Sequence, residues 1–305
     1  MKVLVATDKP FASEAVQGIR EVVEQAGHEL ALLEKYTEKA QLLHAVQTAN
    51  AMIVRSDIVD AEVMESAPEL QLVVRAGAGY DNIDLSAATQ KNICVMNTPG
   101  QNANAVAELA FGLMVYAARN FFNGTSGNEL RGKKLGIHAY GHVGQNVARI
   151  AKGFGMELYA FDPFLQANII ESDGLKPLNS ENELYSTCQF ISLHIPLTAQ
   201  TNQSVNKKLL SKMPPKGVLI NTARKEIIHE AELLNFMEER PDFKYLTDIK
   251  PDNHAEMAEK FPTRYVATPK KMGAQTEEAN NNTGISAAKQ IVEFFQTGKA
   301  QFRVN

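Results

Sequence analysis

From its first residues the chain alternates short apolar runs with longer segments of helical period. Residues 2–7 are apolar enough to be buried on both faces of a strand, and 14–25 gather Val16, Ile19, Val22 and Val23 on one helical face. Further strands are predicted at 29–33, 51–54, 72–76 and 93–96, with helical spacers between them. Strands apolar on both faces must be covered on both, so this βαβα order predicts a parallel sheet sandwiched by helices. The cluster Asn97-Thr98-Pro99-Gly100 interrupts the pattern, and a helix follows over 104–121 that is apolar nearly all round. Such a helix must be buried, and it is expected between domains. Beyond the polar stretch 123–134 a second series begins, with strands predicted at 135–139, 157–161, 190–194, 217–221, 244–248 and 265–267. A last helix, 276–296, is expected to bury Ile285, Ala288, Ile291, Val292 and Phe295. The expected fold class is α/β: two doubly wound, Rossmann-like parallel-sheet domains.

A length of 305 residues suits two domains. Hydrophobic residues at 44% and charged residues at 22% exclude a mainly disordered chain. A net charge of -4 and a pI near 6.0 argue against phosphate-driven nucleic-acid binding. A small anionic substrate remains compatible, because a few arginines make a positive pocket in an acidic protein. Cys94 and Cys188 form neither a disulfide framework nor a zinc pattern, and the histidines form no metal set. No run approaches the ~20 apolar residues needed to span a bilayer, and the opening MKVLVATD is too short for a signal peptide. The expectation is a soluble cytoplasmic chain without metal or membrane partner.

The segment Leu135–Gly144 runs from strand to helix and has the form of a dinucleotide turn. Gly141 would let the backbone approach a pyrophosphate, and Gly144 would let helix and strand pack closely, with Tyr140, His142 and Val143 beside them. Ala139 replaces the first glycine of such turns. Small residues at helix–sheet contacts explain such a triplet equally well, but the next predicted strand ends at Asp162. A carboxylate at that spacing accepts from the ribose hydroxyls of NAD and repels a 2′-phosphate. His142, at a helix N-terminus, is either a pyrophosphate contact or a solvated loop residue.

With these motifs in view the chain resembles the NAD-dependent D-isomer-specific 2-hydroxyacid dehydrogenases over essentially its whole length. The resemblance rests on the run Val74–Asp84, on Ala105-Val106-Ala107-Glu108 and on the nucleotide turn. It continues through His194–Thr198, Ile220–Arg224, and Thr268-Pro269 followed by Gly273. It implies a substrate domain from 1–97 plus 279–305, a NAD-binding domain from 98–278, an active site in the cleft between them, and a homodimer formed through the cofactor domains. Because the sequence ends at Asn305, no C-terminal regulatory domain is expected.

Hydride transfer to a 2-keto acid needs a cation for the carboxylate and ketone, an acid/base for the hydroxyl proton, and a fixed nicotinamide. Arg224 matches the family arginine that grips the substrate, and its forked donors suit that geometry. Asp248 matches the family aspartate that holds the nicotinamide carboxamide, and His194 is expected to back the nicotinamide ribose. Ile195, Pro196, Thr201, Thr222, Ala223 and Gly273 complete the implied cofactor contacts. Two positions depart from the family. Lys270 stands where a histidine is usual after Thr-Pro, and Asn253 stands where that histidine's glutamate partner is usual. Burial and the charge of Arg224 would disfavour the ammonium of Lys270, so losing the carboxylate is consistent with lysine as the acid/base. The competing reading is a catalytically dead NAD-binding sensor or corepressor-like module.

For the substrate, backbone donors of Gly77-Ala78-Gly79 suit a carboxylate. Arg55, Ser56 and Arg75 at the ends of N-terminal strands suit a phosphate, and the resemblance implies a part in the same recognition for Asn102. The resemblance implies NAD-dependent oxidation of D-3-phosphoglycerate to 3-phosphohydroxypyruvate, the entry step of phosphorylated serine biosynthesis. Glyoxylate or hydroxypyruvate reduction is the alternative if the arginines serve only as structural ion pairs.

Overall fold

The computed structural model describes residues 1–305, which divide into two compact units: 1–102 with 276–305, and 103–275. These joins fall at 102/103 and 275/276, against 97/98 and 278/279 read from the sequence.

The smaller unit holds a parallel sheet of order β2-β1-β3-β4-β5, made by β1 (Lys2–Thr7), β2 (Glu29–Glu34), β3 (Ala51–Val54), β4 (Leu72–Arg75) and β5 (Cys94–Asn97). β3 and β5 are buried along their whole length, as the apolar runs Ala51–Val54 and 94–96 require, with the polar Asn97 buried at the end of β5. One face is covered by the helices Ser13–Gln25 and Glu277–Thr297, which approach closely at two glycines. A Cβ on Gly18 would lie 2.7 Å from Ile285 Cδ1, and one on Gly284 would lie 2.9 Å from Ile19 Cδ1. Ala288 and Ile291 of the last helix are fully buried, while Ile285, Val292 and Phe295 are half-buried.

The larger unit holds β6 (Lys134–His138), β7 (Glu157–Phe161), β8 (Lys176–Pro177), β9 (Phe190–Leu193), β10 (Val218–Asn221), β11 (Lys244–Thr247) and β12 (Tyr265–Ala267). They form one parallel sheet of order β12-β11-β10-β9-β6-β7-β8. The strand order reverses between β6 and β9, and the carboxyl ends of these strands are where open parallel sheets take their ligands.

The helix Ala103–Ala118 is buried as its apolar surface demands. It packs in the core of this unit with Leu135, Ile137, Val147 and Ile220. It also stops earlier than expected, because Asn120, Phe121 and Phe122 take left-handed φ values of 50°, 58° and 53° that end the helical path. No helix of the chain is long and apolar enough to cross a membrane. Cys94 and Cys188 are free and buried.

Candidate active site

Five loops at the carboxyl ends of the larger sheet carry most of the expected cofactor residues. After β6, Ala139 sits at φ +75°, the left-handed conformation that a first glycine would adopt without strain. Gly141 caps the helix His142–Gly153, and a Cβ placed on it would meet nothing within 4 Å. Its outer side is therefore open for a ligand to approach the backbone. Gly144 is the opposite case: a Cβ there would lie 2.5 Å from Ala139 O and 3.0 Å from Ile137 Cγ2. The exposed His142 opens the helix, and Val143 packs into the core behind it.

At the end of β7, Asp162 is half-buried. Its Oδ2 accepts from Tyr140 N at 2.9 Å and its Oδ1 from Phe164 N at 2.9 Å, so the carboxylate is oriented beside the turn before any ligand arrives. The buried Tyr140 side chain donates its hydroxyl to Asp173 Oδ2 at 2.9 Å, which ties the turn to the outer edge of the sheet.

β9 leads into His194, whose backbone N donates to His138 O at 2.9 Å. Its Nε2 lies 2.9 Å from Ser192 Oγ, and burial lowers its pKa to about 3, so the ring is neutral. Ile195 is buried and Pro196 exposed. Thr201 Oγ1 donates to Pro196 O at 2.6 Å, so Thr201 shapes this loop.

The loop after β10 is set by Asn221, a residue whose place in the run Ile220–Arg224 does not reveal its role. Asn221 is fully buried; its Oδ1 accepts from Ala223 N at 2.9 Å and its Nδ2 donates to Arg224 O at 3.0 Å. The Arg224 guanidinium folds back, Nη1 donating to Ala223 O at 2.9 Å. That same carbonyl accepts from Lys271 Nζ at 3.3 Å. The amine that reaches the Arg224 loop is thus that of Lys271. Lys270, one residue earlier, is exposed, and its carbonyl accepts from Thr268 Oγ1 at 2.6 Å.

Asp248, at the end of β11, is fully buried. Its Oδ2 accepts from Gly273 N at 2.6 Å and Met272 N at 3.2 Å, while its Oδ1 is buried without a partner. Burial pushes the carboxyl pKa up, opposed by those two amides and by the charges of Lys271 and Arg224. Gly273 serves here by its closeness, since a Cβ on it would lie 2.9 Å from Asp248 Oδ2. The buried hydroxyl of Thr222 also lacks a partner. An acceptor and a hydroxyl left unpaired in the same sheet end fit a bound group bearing an amide, which is what a nicotinamide presents. With the open Gly141 backbone and the pre-set Asp162 carboxylate, the residues present fit NAD. The position usual for glutamate, Asn253, lies in a loop held otherwise. Glu230 Oε2 accepts from Asp252 N at 2.9 Å, and Lys225 pairs with Asp252.

In the smaller unit, Arg55 Nη1 donates to Lys9 O at 3.0 Å and Pro10 O at 3.2 Å, and Nη2 donates to Asn280 Oδ1 at 2.6 Å. The guanidinium lies 5.1 Å above the Phe11 ring. None of these partners is a carboxylate. The buried Asp57 instead accepts from Asp8 N at 2.7 Å and from the Tyr36 hydroxyl at 2.7 Å. Arg75 Nε donates to Arg55 O at 2.9 Å, and its guanidinium occupies the place that a Gly77 Cβ would need. Ser56 is exposed and Asn102 half-buried.

Comparison with known proteins agrees with this geometry. Residues 104–269 match the family model described as the NAD binding domain of D-isomer specific 2-hydroxyacid dehydrogenase. The chain belongs to this family. NAD is accordingly the cofactor of the larger unit. The chain is 34% identical over 281 residues to a D-3-phosphoglycerate dehydrogenase of Methanocaldococcus jannaschii, covering 88% of this chain but only 54% of that protein. It thus spans about half the length of that relative. It is also 34% identical to a hydroxypyruvate reductase of Thermotoga maritima, covering 86% of this chain and 90% of that one. A solved structure of 3-phosphoglycerate dehydrogenase from Entamoeba histolytica with NAD+ bound superposes with a TM-score of 0.93. Its sequence identity is 46%, and the match covers 100% of this chain and 98% of that one.

Proposed function

We propose that the protein oxidises D-3-phosphoglycerate to 3-phosphohydroxypyruvate in the cytoplasm, as a homodimer, with Lys271 rather than Lys270 handling the proton. The observation that carries this reading is the meeting of Lys271 Nζ and Arg224 Nη1 on one carbonyl, Ala223 O. An amine beside a guanidinium provides a proton-handling group next to an anion-binding one. A bound NAD would supply the acceptor for the C2 hydrogen of the substrate, which leaves as hydride with its electron pair. Lys271, as the neutral amine, accepts the proton of the C2 hydroxyl; in the reverse direction its ammonium returns it. Arg224 holds the substrate oxygen on which charge develops. Asp248 Oδ1 accepts from the nicotinamide carboxamide, and Asp162 accepts from the adenosine ribose.

The phosphorylated substrate is supported by Arg55, whose charge lies among carbonyls, an amide and an aromatic face, with Nε–H and one Nη2–H left without a protein partner. Arg75 lies beside it, and Ser56 and Asn102 complete the proposed substrate contacts. A half-buried cation with spare donors favours an anion such as a phosphate. The same bonds to Lys9, Pro10 and Asn280 favour a second reading, in which Arg55 only braces the fold and the substrate is hydroxypyruvate or glyoxylate.

The test compares NADH formation from D-3-phosphoglycerate and D-glycerate, before and after Arg55→Met. A large preference for the phosphorylated acid, lost in the variant, supports the first reading. Equal kcat/KM values refute it.

A further inference from the structure

The loop after β4 contains two successive peptide planes whose carbonyls are both held from behind. Gly77 O accepts from Thr98 N at 2.9 Å, and Ala78 O accepts from Asn97 Nδ2 at 2.7 Å. In a trans peptide the C=O and the following N–H point to opposite sides. The N–H groups of Ala78 and Gly79 therefore face away from Thr98 and Asn97, and neither has an acceptor within the protein. Ala78 is exposed, so these donors open to solvent, whereas Gly77 is buried beneath Arg75.

Asn97 is placed for this task. It ends the buried strand β5, its own N donates to Phe302 O at 3.3 Å, and its O accepts from Gln290 Nε2 at 3.1 Å. With its backbone fixed on both sides, the carboxamide has one short bond, and that bond fixes which way the Ala78–Gly79 peptide faces.

We propose that Asn97 is a positioning residue for the substrate carboxylate, turning the Gly79 N–H outward so that it and the Ala78 N–H form a two-donor cradle. This rests on the hydroxy-acid reading above, and its new content is the role of the buried amide behind the loop. A cradle set in advance spares the ligand the cost of turning a peptide on binding. Losing the carboxamide leaves Ala78 O unpaired and frees that peptide to rotate.

The probe is oxamate, an unreactive 2-keto acid isostere, titrated calorimetrically into the NADH-loaded protein. In Asn97→Asp a carboxylate faces Ala78 O and cannot donate, so oxamate affinity should fall about tenfold or more, while NADH affinity stays within about twofold. Acidification should restore part of the loss in N97D, because a protonated carboxyl donates again; Asn97→Ala should show the loss at every pH. N97A is also the variant to measure if N97D does not fold. Unchanged oxamate affinity in the variants, a wild type that does not bind oxamate, or an equal fall in NADH affinity would overturn the proposal. Turnover of D-3-phosphoglycerate by the wild type tests the hydroxy-acid reading separately, since oxamate binding needs no turnover.

Discussion

Replacing Lys271 by methionine keeps the aliphatic length and removes the amine that touches Ala223 O at 3.3 Å. If that amine moves the hydroxyl proton, its loss should lower kcat by about 10²–10⁴, the usual range for a general acid or base. At 1.36 kcal/mol per decade this is about 3–5 kcal/mol of barrier. Lys271→Arg should be nearly as slow, because a guanidinium keeps the charge but does not give up its proton. Lys270→Met should change kcat by no more than about twofold, since the exposed Lys270 meets the site only through its backbone. The assay is steady-state NADH formation across pH. The wild type should gain rate with rising pH as the amine becomes neutral, and that limb should vanish in K271M and K271R. A K271R enzyme as fast as wild type would reduce Lys271 to a charge, and an equal loss in K270M would return the role to its neighbour.

The two glycines of the nucleotide turn should separate binding from stability. Gly144→Ala forces a methyl to 2.5 Å from Ala139 O and should cost about 1–3 kcal/mol in urea melts, whereas Gly141→Ala enters open space and should weaken NAD binding with little effect on stability. Asp248→Asn should leave the fold as stable or more so near neutral pH while weakening NAD binding, as thermal melts and NAD titration will show. Burial raises the native carboxyl pKa, so the penalty appears as pH climbs above the unfolded value and is complete above the native one. His138 is the reverse case: burial lowers its pKa to about 4. Its neutral form stabilises the fold above the ordinary histidine value, and this stability, about 3 kcal/mol, should be lost as pH falls from ~6.5 to ~4. A pH-resolved denaturant series checks it, and a His138→Phe variant that folds should have a flatter slope.

The strands were legible because their physics is local. β3 is apolar at every position, β5, β9 and β10 are apolar at all but one, and all four are buried throughout. β8, only Lys176–Pro177, went unread because two residues carry no periodicity, and the pairing with β7 defines it. The early end of the helix Ala103–Ala118 was hidden in the same way, since Phe121 continues the apolar run while the backbone at Asn120 has already turned left-handed.

The site was legible to the extent that spacing fixes position. Gly141, Gly144, Asp162, Arg224 and Asp248 each follow a strand, and a strand end is a place that a sequence can name. What spacing does not fix is the direction of a side chain in an irregular loop. Lys270 and Lys271 differ by one residue, and only the path after Thr268 decides which amine reaches Ala223 O. The buried amides behind the site were missed for a related reason. Asn97 and Asn221 look like polar residues closing apolar strands, the ordinary signature of a turn. Yet each is buried, and each binds backbone groups of a loop that carries proposed ligand-binding residues. A polar residue that ends a both-faces-buried strand has no water to turn to, so its hydrogen bonds must go to the neighbouring loops. In a parallel sheet those are the loops that bind ligands, which makes such residues the first place to look for the parts of a site that never touch the substrate.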